Sequence, residues 1–393
     1  MAARSNIAVV GGGLVGASAA LSLAQSGFAI TLIDRQRPQL STGTLGIDIR
    51  NVALSPASRQ LLDSVGVFSA VQCAPYSAMC VWEQWGSGQV TFAAADVGRT
   101  ELGWLVEMSP LLCAAWTQLD ALDNVEVLLD TITDVAPEET GVALQFATAP
   151  ARRFDFLIAA DGAQSIVRQA LNLNVVSQAL DQVALATVVR TARPHQHTAW
   201  QRFLTEGPLA FLPAPDEHLC SIVWSQSKAS VKRRLALDDD AFCAEIGHAI
   251  EHRLGDVTAV DKRLAFPLRQ QRVINCAPHA RVLLVGDAMR VVHPLAGLGV
   301  NLGLEDVNQL LLVAHRHADL AAPGIWQRYA RQRQVRSQMM IQTMAALQKL
   351  YSNTNPAVTL LRNFGVQSFN ALDGLKRQVM REAMGLGALS GPA

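Results

Sequence analysis

Residues 6–34 leave the start of this chain little choice of fold. A short apolar, partly β-branched run at 6–10 ends in Gly11-Gly12-Gly13-Leu14-Val15-Gly16. Residues 14–25 continue with helical apolar spacing, closed by Gly27, and a second apolar run at 28–33 ends at Asp34. Strand, glycine turn, helix and strand make a βαβ unit, which implies a parallel sheet covered by helices. Glycines at 11, 13 and 16 spell G-x-G-x-x-G in the setting that gives it meaning: after a strand, opening a helix, with an acid ending the next strand. The glycines permit a tight turn, let the backbone approach a pyrophosphate, and let helix pack closely on strand. The helix start adds free N–H groups and roughly half a positive charge. Asp34 is placed to accept hydrogen bonds from a ribose, and the unit reads as a dinucleotide site.

The rest of the chain is interleaved. Residues 35–48 read as a loop and 55–62 as a helix. Strands are expected around Trp82, Val90 and Phe92, then a helix at 109–119 with Ser109 capping it and Pro110 at its first position. Strands at 125–129, 142–146 and 154–159 follow. Apolar runs broken by Pro and Gly at 183–224 predict a mostly antiparallel sheet; residues 238–253 read as a helix and 281–285 as a strand. Beyond Gly299 the pattern is helical, with breaks at Pro323-Gly324 and Asn355-Pro356.

At 393 residues the chain is too long for one simple core. Lys+Arg and Asp+Glu are each 33, and a formally neutral chain argues against a nucleic-acid binder. Cysteines at 73, 80, 113, 220, 243 and 276 form no CxxC pair and no zinc spacing, so they read as isolated thiols of a reducing compartment. No apolar run reaches the ~18 residues of a membrane span. The N-terminus runs directly into an apolar strand, so the expectation is a cytoplasmic protein without signal peptide, metal or nucleic acid.

Two further clusters carry chemistry. The strand at 154–159 runs into Ala160-Asp161-Gly162. The strand at 282–285 runs into Gly286-Asp287-Ala288, followed by His293-Pro294-Leu295-Ala296-Gly297-Leu298-Gly299-Val300-Asn301 at a helix start. Such a glycine-punctuated loop can press backbone N–H groups against a flat ligand.

In order and spacing, Gly11-x-Gly13-x-x-Gly16, Asp161-Gly162 and Gly286-Asp287 resemble the FAD-dependent aromatic hydroxylases of the p-hydroxybenzoate hydroxylase type. Asp48 through Leu54, Val81-Trp82-Glu83, Gly207 through Pro213, His293 through Gly297 and Leu361 through Gly365 look like the ubiquinone-biosynthesis hydroxylases. Leu375 through Gln378 and Ala383 through Leu386 resemble the branch that acts on the demethoxyubiquinol ring (2-polyprenyl-3-methyl-6-methoxy-1,4-benzoquinol). The implied fold class is α/β: a Rossmann-like FAD-binding domain (1–75, 97–178, 277–320), a mostly antiparallel β-sheet substrate domain (76–96, 179–276) and a helical C-terminus (321–393).

The resemblance also implies roles. Gly11, Gly13 and Gly16 would hold the FAD pyrophosphate, with Arg50 reaching it from the next loop. Asp34 and the adjoining Arg35 would meet the adenosine ribose. Asp161 would belong to the cofactor site, and Asp287 would bind the ribityl chain. The backbone of Gly299, Val300 and Asn301 would face the isoalloxazine. Pro294, Leu295, Gly297 and Leu298 would border the flavin carbon C4a, where a hydroperoxide forms. NAD(P)H would be a transient reductant, O2 the oxidant, and a polyprenyl quinol or phenol the substrate. Other ubiquinone-biosynthesis proteins and a peripheral contact with the inner membrane are further implied partners. An oxidase, a dehydrogenase or a non-catalytic accessory flavoprotein on the same fold is the alternative. The chain departs from the family at Met289-Arg290, where Ala-His is usual, and at Leu298, where Gln is usual, so a polar group near the flavin is missing.

Other residues have plainer readings. His195 and His197 read as surface histidines, and Trp82, Trp85, Trp200 and Trp224 as sheet packing. In 325–351, Ile325, Tyr329, Met340, Met344, Leu347 and Tyr351 fall near one helical face, with Arg328, Arg331, Arg333 and Arg336 toward the start. That pattern fits a core helix with a solvated face, or a helix resting on anionic headgroups.

Overall fold

In the computed structural model, residues 5–85, 88–292, 298–317, 319–351 and 372–387 are described. The expected βαβ unit forms the middle of a five-stranded parallel sheet. Its order is Val282–Leu284, Phe156–Ala159, Asn6–Val10, Ala29–Asp34, Val125–Leu129. Helix α1 (Leu14–Gln25) is buried along most of its length, because Ala, Ser and Gly let it lie close to the sheet. α2 (Pro56–Ser64) is capped by Ser55, whose Oγ accepts the Ser58 N–H.

The helix expected from Ser109 is α3 (Met108–Asp120), and its cap differs from the sequence reading. Ser109 lies inside the helix and its Oγ donates to Ser41 O, while the Ser109 N–H donates to Asp48 Oδ2. A residue 61 positions upstream thus caps the helix. The short α4 (Ile166–Ala170) begins just after the Asp161-Gly162 turn.

The second architecture is a nine-stranded sheet, antiparallel except where Thr198–Leu204 runs parallel to Ala78–Glu83. Its centre is Val175–Thr191, Leu219–Ser227, Gly207–Pro213 and Thr198–Leu204. α5 (Lys228–Leu235) and α6 (Asp239–Ala249) cover one face, burying Trp82, Leu185, Phe211 and Trp224. α6 is shorter than expected, since Glu251 and His252 adopt left-handed backbone. Trp82, Trp200 and Trp224 pack on the sheet as anticipated, but Trp85 is exposed beyond the strand end. His195 also departs from expectation. It is 1% exposed, with Nε2 3.0 Å from Ala214 O and Nδ1 accepting the His197 N–H, and burial lowers its pKa; His197 is exposed.

Among the described residues, α7 (Gly286–Met289), α8 (Leu298–Ala314), α9 (Ile325–Tyr351) and α10 (Asp373–Ala383) follow. Trp326 and Tyr329 place the start of α9 in the main core. Arg333 and Arg336 are buried too: Arg333 pairs with Asp306 and Glu305, and Arg336 with Glu305 and Glu382. These two arginines therefore cannot meet lipid headgroups; Arg328 and Arg331 are exposed.

Candidate functional site

In open α/β sheets, ligands bind beyond the carboxyl ends of the strands. Here that edge gathers the sequence clusters side by side. Gly11 follows one central strand, Asp34 ends its neighbour, and Asp161 and Gly286-Asp287 follow the two strands on the other side. The packing explains the glycines. A Cβ on Gly16 would stand 1.9 Å from Gly11 O, and one on Gly11, where φ is +101°, would stand 2.5 Å from Ala160 O. Gly13 is different: a Cβ there would meet no protein atom within 4 Å. It precedes the first turn of α1, whose N–H groups have no acceptor within the helix. Open space before unsatisfied donors is what an anionic pyrophosphate needs, so the cradle fits a dinucleotide.

Asp34 shapes this cradle. Its Oδ2 accepts the Gly12 N–H at 2.6 Å and its Oδ1 the Arg35 N–H at 2.6 Å. Each oxygen retains a lone pair for a ribose hydroxyl. Trp116 of α3, which the sequence did not single out, donates from Nε1 to Gly12 O at 2.8 Å and fixes the loop from beneath. Arg35 is exposed. Arg50 is also largely solvent-facing, with Nε 3.9 Å from Asp48 Oδ1.

Asp161 caps α4: its Oδ2 accepts the N–H groups of Ile166 and Val167, while Oδ1 is buried with no partner. Arg168 then ties this turn to the next one, donating to Ala163 O and to Ala288 O.

Asp287 has no hydrogen-bond partner among the described residues. Its side chain is open to solvent on one side, yet protein crowds it on the others. Desolvation raises its pKa, nearby Arg290 partly offsets this, and Asp306 adds to it. An unpaired carboxylate at this strand edge is a ready acceptor for ligand hydroxyls. Gly286 and Gly303 both approach Val15, which brings α7 and α8 against the start of α1.

At the start of α8, a Cβ on Gly299 would meet nothing within 4 Å, and Val300 is half-buried. Asn301 is buried; its Oδ1 accepts the Ser55 N–H and its Nδ2 donates to Ala53 O. Pro294, Leu295 and Gly297 lie outside the described residues, as do the Leu298 side chain, the segment 361–365 and the side chain of Leu347. Among the described residues no His, Cys, Asp or Glu cluster is arranged to hold a metal.

The fold and cradle define a dinucleotide-binding class, and comparison with known proteins narrows it to flavoproteins. The family described as FAD binding domain matches residues 4–344, and the chain belongs to it. Two relatives sharpen the placement. The chain is 34% identical to 3-demethoxyubiquinol 3-hydroxylase of Escherichia coli (strain K12), over 97% of this chain and 99% of that one. It is 31% identical to ubiquinone hydroxylase UbiL of Rhodospirillum rubrum, over 97% and 90%. Among solved structures, p-nitrophenol 4-monooxygenase PnpA from Pseudomonas putida DLL-E4 superposes with a TM-score of 0.77 at 18% identity, covering 98% of each chain. Klebsiella pneumoniae HpxO complexed with FAD and uric acid gives 0.73 at 18% identity, covering 99% of this chain and 97% of that one. These structural matches speak to the fold, which is the interleaved α/β arrangement expected from the sequence.

Proposed function

We propose that this protein is an FAD-dependent monooxygenase that hydroxylates a polyprenylated benzoquinol ring of ubiquinone biosynthesis, with NAD(P)H as reductant and O2 as oxidant. The observation that carries the reading is the site itself. An open glycine cradle and an unpaired Asp287 share one strand edge, in a chain similar over nearly its full length to two ubiquinone-ring hydroxylases.

In this reading Gly11, Gly13 and Gly16 hold the pyrophosphate, with Arg50 beside it. Asp34 and Arg35 meet the adenosine ribose, and Asp161 borders the cofactor through its buried Oδ1. Asp287 accepts from the ribityl chain, and the backbone of Gly299, Val300 and Asn301 faces the flavin ring. The bound FAD supplies electron transfer and oxygen activation, chemistry that no side chain offers. The chain's own part is to orient the quinol and exclude water. Pro294, Leu295, Gly297 and Leu298 are proposed to border the reacting ring. The segments 1–75, 97–178 and 277–320 are proposed as the cofactor unit, 76–96 and 179–276 as the substrate unit, and 321–393 as the C-terminal helical region.

A polyprenyl tail adds ~0.8 kcal/mol of membrane preference per CH2, so the substrate stays in or near a bilayer. No helix among the described residues is long and apolar enough to cross a membrane. Peripheral contact through Arg328 and Arg331, or delivery by another ubiquinone-biosynthesis protein, fits that constraint. The test uses purified protein with FAD, NAD(P)H, O2 and a short-chain demethoxyubiquinol. Quinol-dependent NAD(P)H oxidation that yields hydroxylated quinol supports the reading. Oxidation yielding only hydrogen peroxide would indicate an oxidase, and no oxidation a non-catalytic flavoprotein.

A further inference from the structure

The face of the large sheet opposite α5 and α6 holds an unpartnered polar group. Along Thr198–Leu204, Trp200 packs edge-on against Trp82, and Arg202 donates to Ala249 O and Glu251, so these even-numbered side chains point toward α6. With the strand period of two, Ala199, Gln201 and Phe203 point to the other face. The two outer positions of that face are closed. Ala199 is buried with Leu212, Ile47, Ala53 and Leu105, and Phe203 lies under Tyr351 of α9, rings stacked with centroids 4.1 Å apart.

Between them runs a row of small residues. Gln201 pairs with Ala210, Ala210 with Val223, and Val223 with Ala186. Ala186 and Val223 are half-buried, so this row of short side chains is partly open between the two closed positions. Gln201 is only 6% exposed, yet its amide makes no hydrogen bond among the described residues. The amide itself is not sealed from solvent, so a ligand can reach the hydrogen bonds that no described protein group makes. The same face is tied to the strand that runs past the start of α8. Asn51 donates from Nδ2 to Ser221 Oγ on this same face, and the strand that follows is held by Asn301 at the start of α8.

We propose that Gln201 orients the aromatic ring of the substrate, its amide hydrogen-bonding one ring hydroxyl while Ala186, Ala210 and Val223 make room for the ring. This inference rests on the quinol reading above. A neutral amide can donate to the hydroxyl oxygen or accept a hydrogen bond from the hydroxyl without a counter-charge. No member of the row is charged, and Glu83, which is buried and points to the same face, is an acid. The site therefore takes neutral phenolic rings in preference to carboxylated ones, because an unpaired carboxylate is costly to desolvate.

The experiment titrates FAD-loaded protein, under argon, with a single-isoprene demethoxyubiquinol and with the two phenols that each lack one ring hydroxyl. Binding is read from the flavin absorbance change. Wild-type protein should bind one of the two phenols about ten-fold more weakly than the quinol, the ~1.4 kcal/mol of a neutral hydrogen bond. Gln201→Met keeps the side-chain length without the amide. It should lose that ten-fold discrimination at unchanged FAD content, and Gln201→Ala should do the same. Wild-type discrimination retained in either FAD-loaded variant overturns the role of Gln201 alone. Loss of FAD from both variants assigns Gln201 to packing and also overturns it. Failure of FAD-loaded wild-type protein to bind the quinol overturns the quinol reading itself.

Discussion

Arg290 Nη1 lies 2.7 Å from Asp306 Oδ2, and both side chains are sealed from solvent. Asp306 also accepts the Gly286 N–H at 2.9 Å and the Arg333 Nε–H, so one carboxylate joins the Gly286-Asp287 turn to α8 and α9. From Arg333 the chain of ion pairs continues through Glu305 and Arg336 to Glu382 of α10. The arginine that departs from the family pattern is thus a structural cation beside the Gly286-Asp287 turn. Its Nε and Nη2 remain buried without partners.

Removing one member of such a buried pair strands the other. Arg290→Met should cost about 3 kcal/mol, the low end for a broken buried pair, because Arg333 still faces Asp306. Combined with Asp306→Asn, the loss should be smaller than the sum of the single losses by about 0.5–3 kcal/mol. Urea unfolding of the four proteins measures this coupling.

Two glycines of one motif should behave oppositely. Gly13→Val should leave the fold intact, since its Cβ meets no protein atom and φ is −64°, but should abolish FAD binding. Gly16→Ala should destabilise the protein itself by at least ~1–3 kcal/mol, because its Cβ would stand 1.9 Å from Gly11 O. Flavin content and thermal unfolding, measured together, separate the two effects.

The raised pKa of Asp287 has a sign that can be checked. Its carboxyl holds a proton more readily in the folded state than in the unfolded chain. Its contribution to stability is therefore present at acid pH and lost as pH rises toward the raised folded value. Asp287→Asn should raise the Tm of the FAD-free protein at neutral pH, with the gain vanishing below the ordinary Asp value of about 3.9. The same substitution should weaken FAD binding by about 1.5–3 kcal/mol, the range for hydrogen bonds to a charged group. Calorimetry from acid to neutral pH and a flavin titration test both halves.

Much of this was legible locally. The G-x-G-x-x-G turn, its flanking strands and Asp34 lie within one short stretch, where spacing alone determines direction and neighbour. Asp161-Gly162 and Gly286-Asp287 could be placed because each follows an apolar run that could only be a buried strand. What escaped depends on distant partners. Nothing near Ser109 reveals that Asp48 caps its helix. Nothing near His195 shows that Ala214 O waits for its ring. Arg333 and Arg336 looked solvated because their acids, Glu305, Asp306 and Glu382, come from two other helices. Gln201 sits in an alternating strand, and only the cross-strand register shows its small neighbours.

That burial changes the choice of arginines for any membrane test. Arg333→Glu should unfold the protein, since it would add a third carboxylate to Glu305 and Asp306 in a sealed site. Arg328→Glu with Arg331→Glu should leave stability within about 0.5 kcal/mol per site, as both are exposed. If these two contact lipid, the double variant should lose flotation with anionic liposomes; flotation equal to wild type would exclude them as the contact.

Oxygen insertion into a quinol is tested most directly by single-turnover reaction of the FAD-loaded protein with NAD(P)H, a single-isoprene demethoxyubiquinol and isotopically heavy O2. The expected product is a quinol carrying one heavy oxygen atom on its ring, formed in proportion to NAD(P)H consumed. An unlabelled quinol, with the heavy isotope found only in hydrogen peroxide, would contradict the assignment.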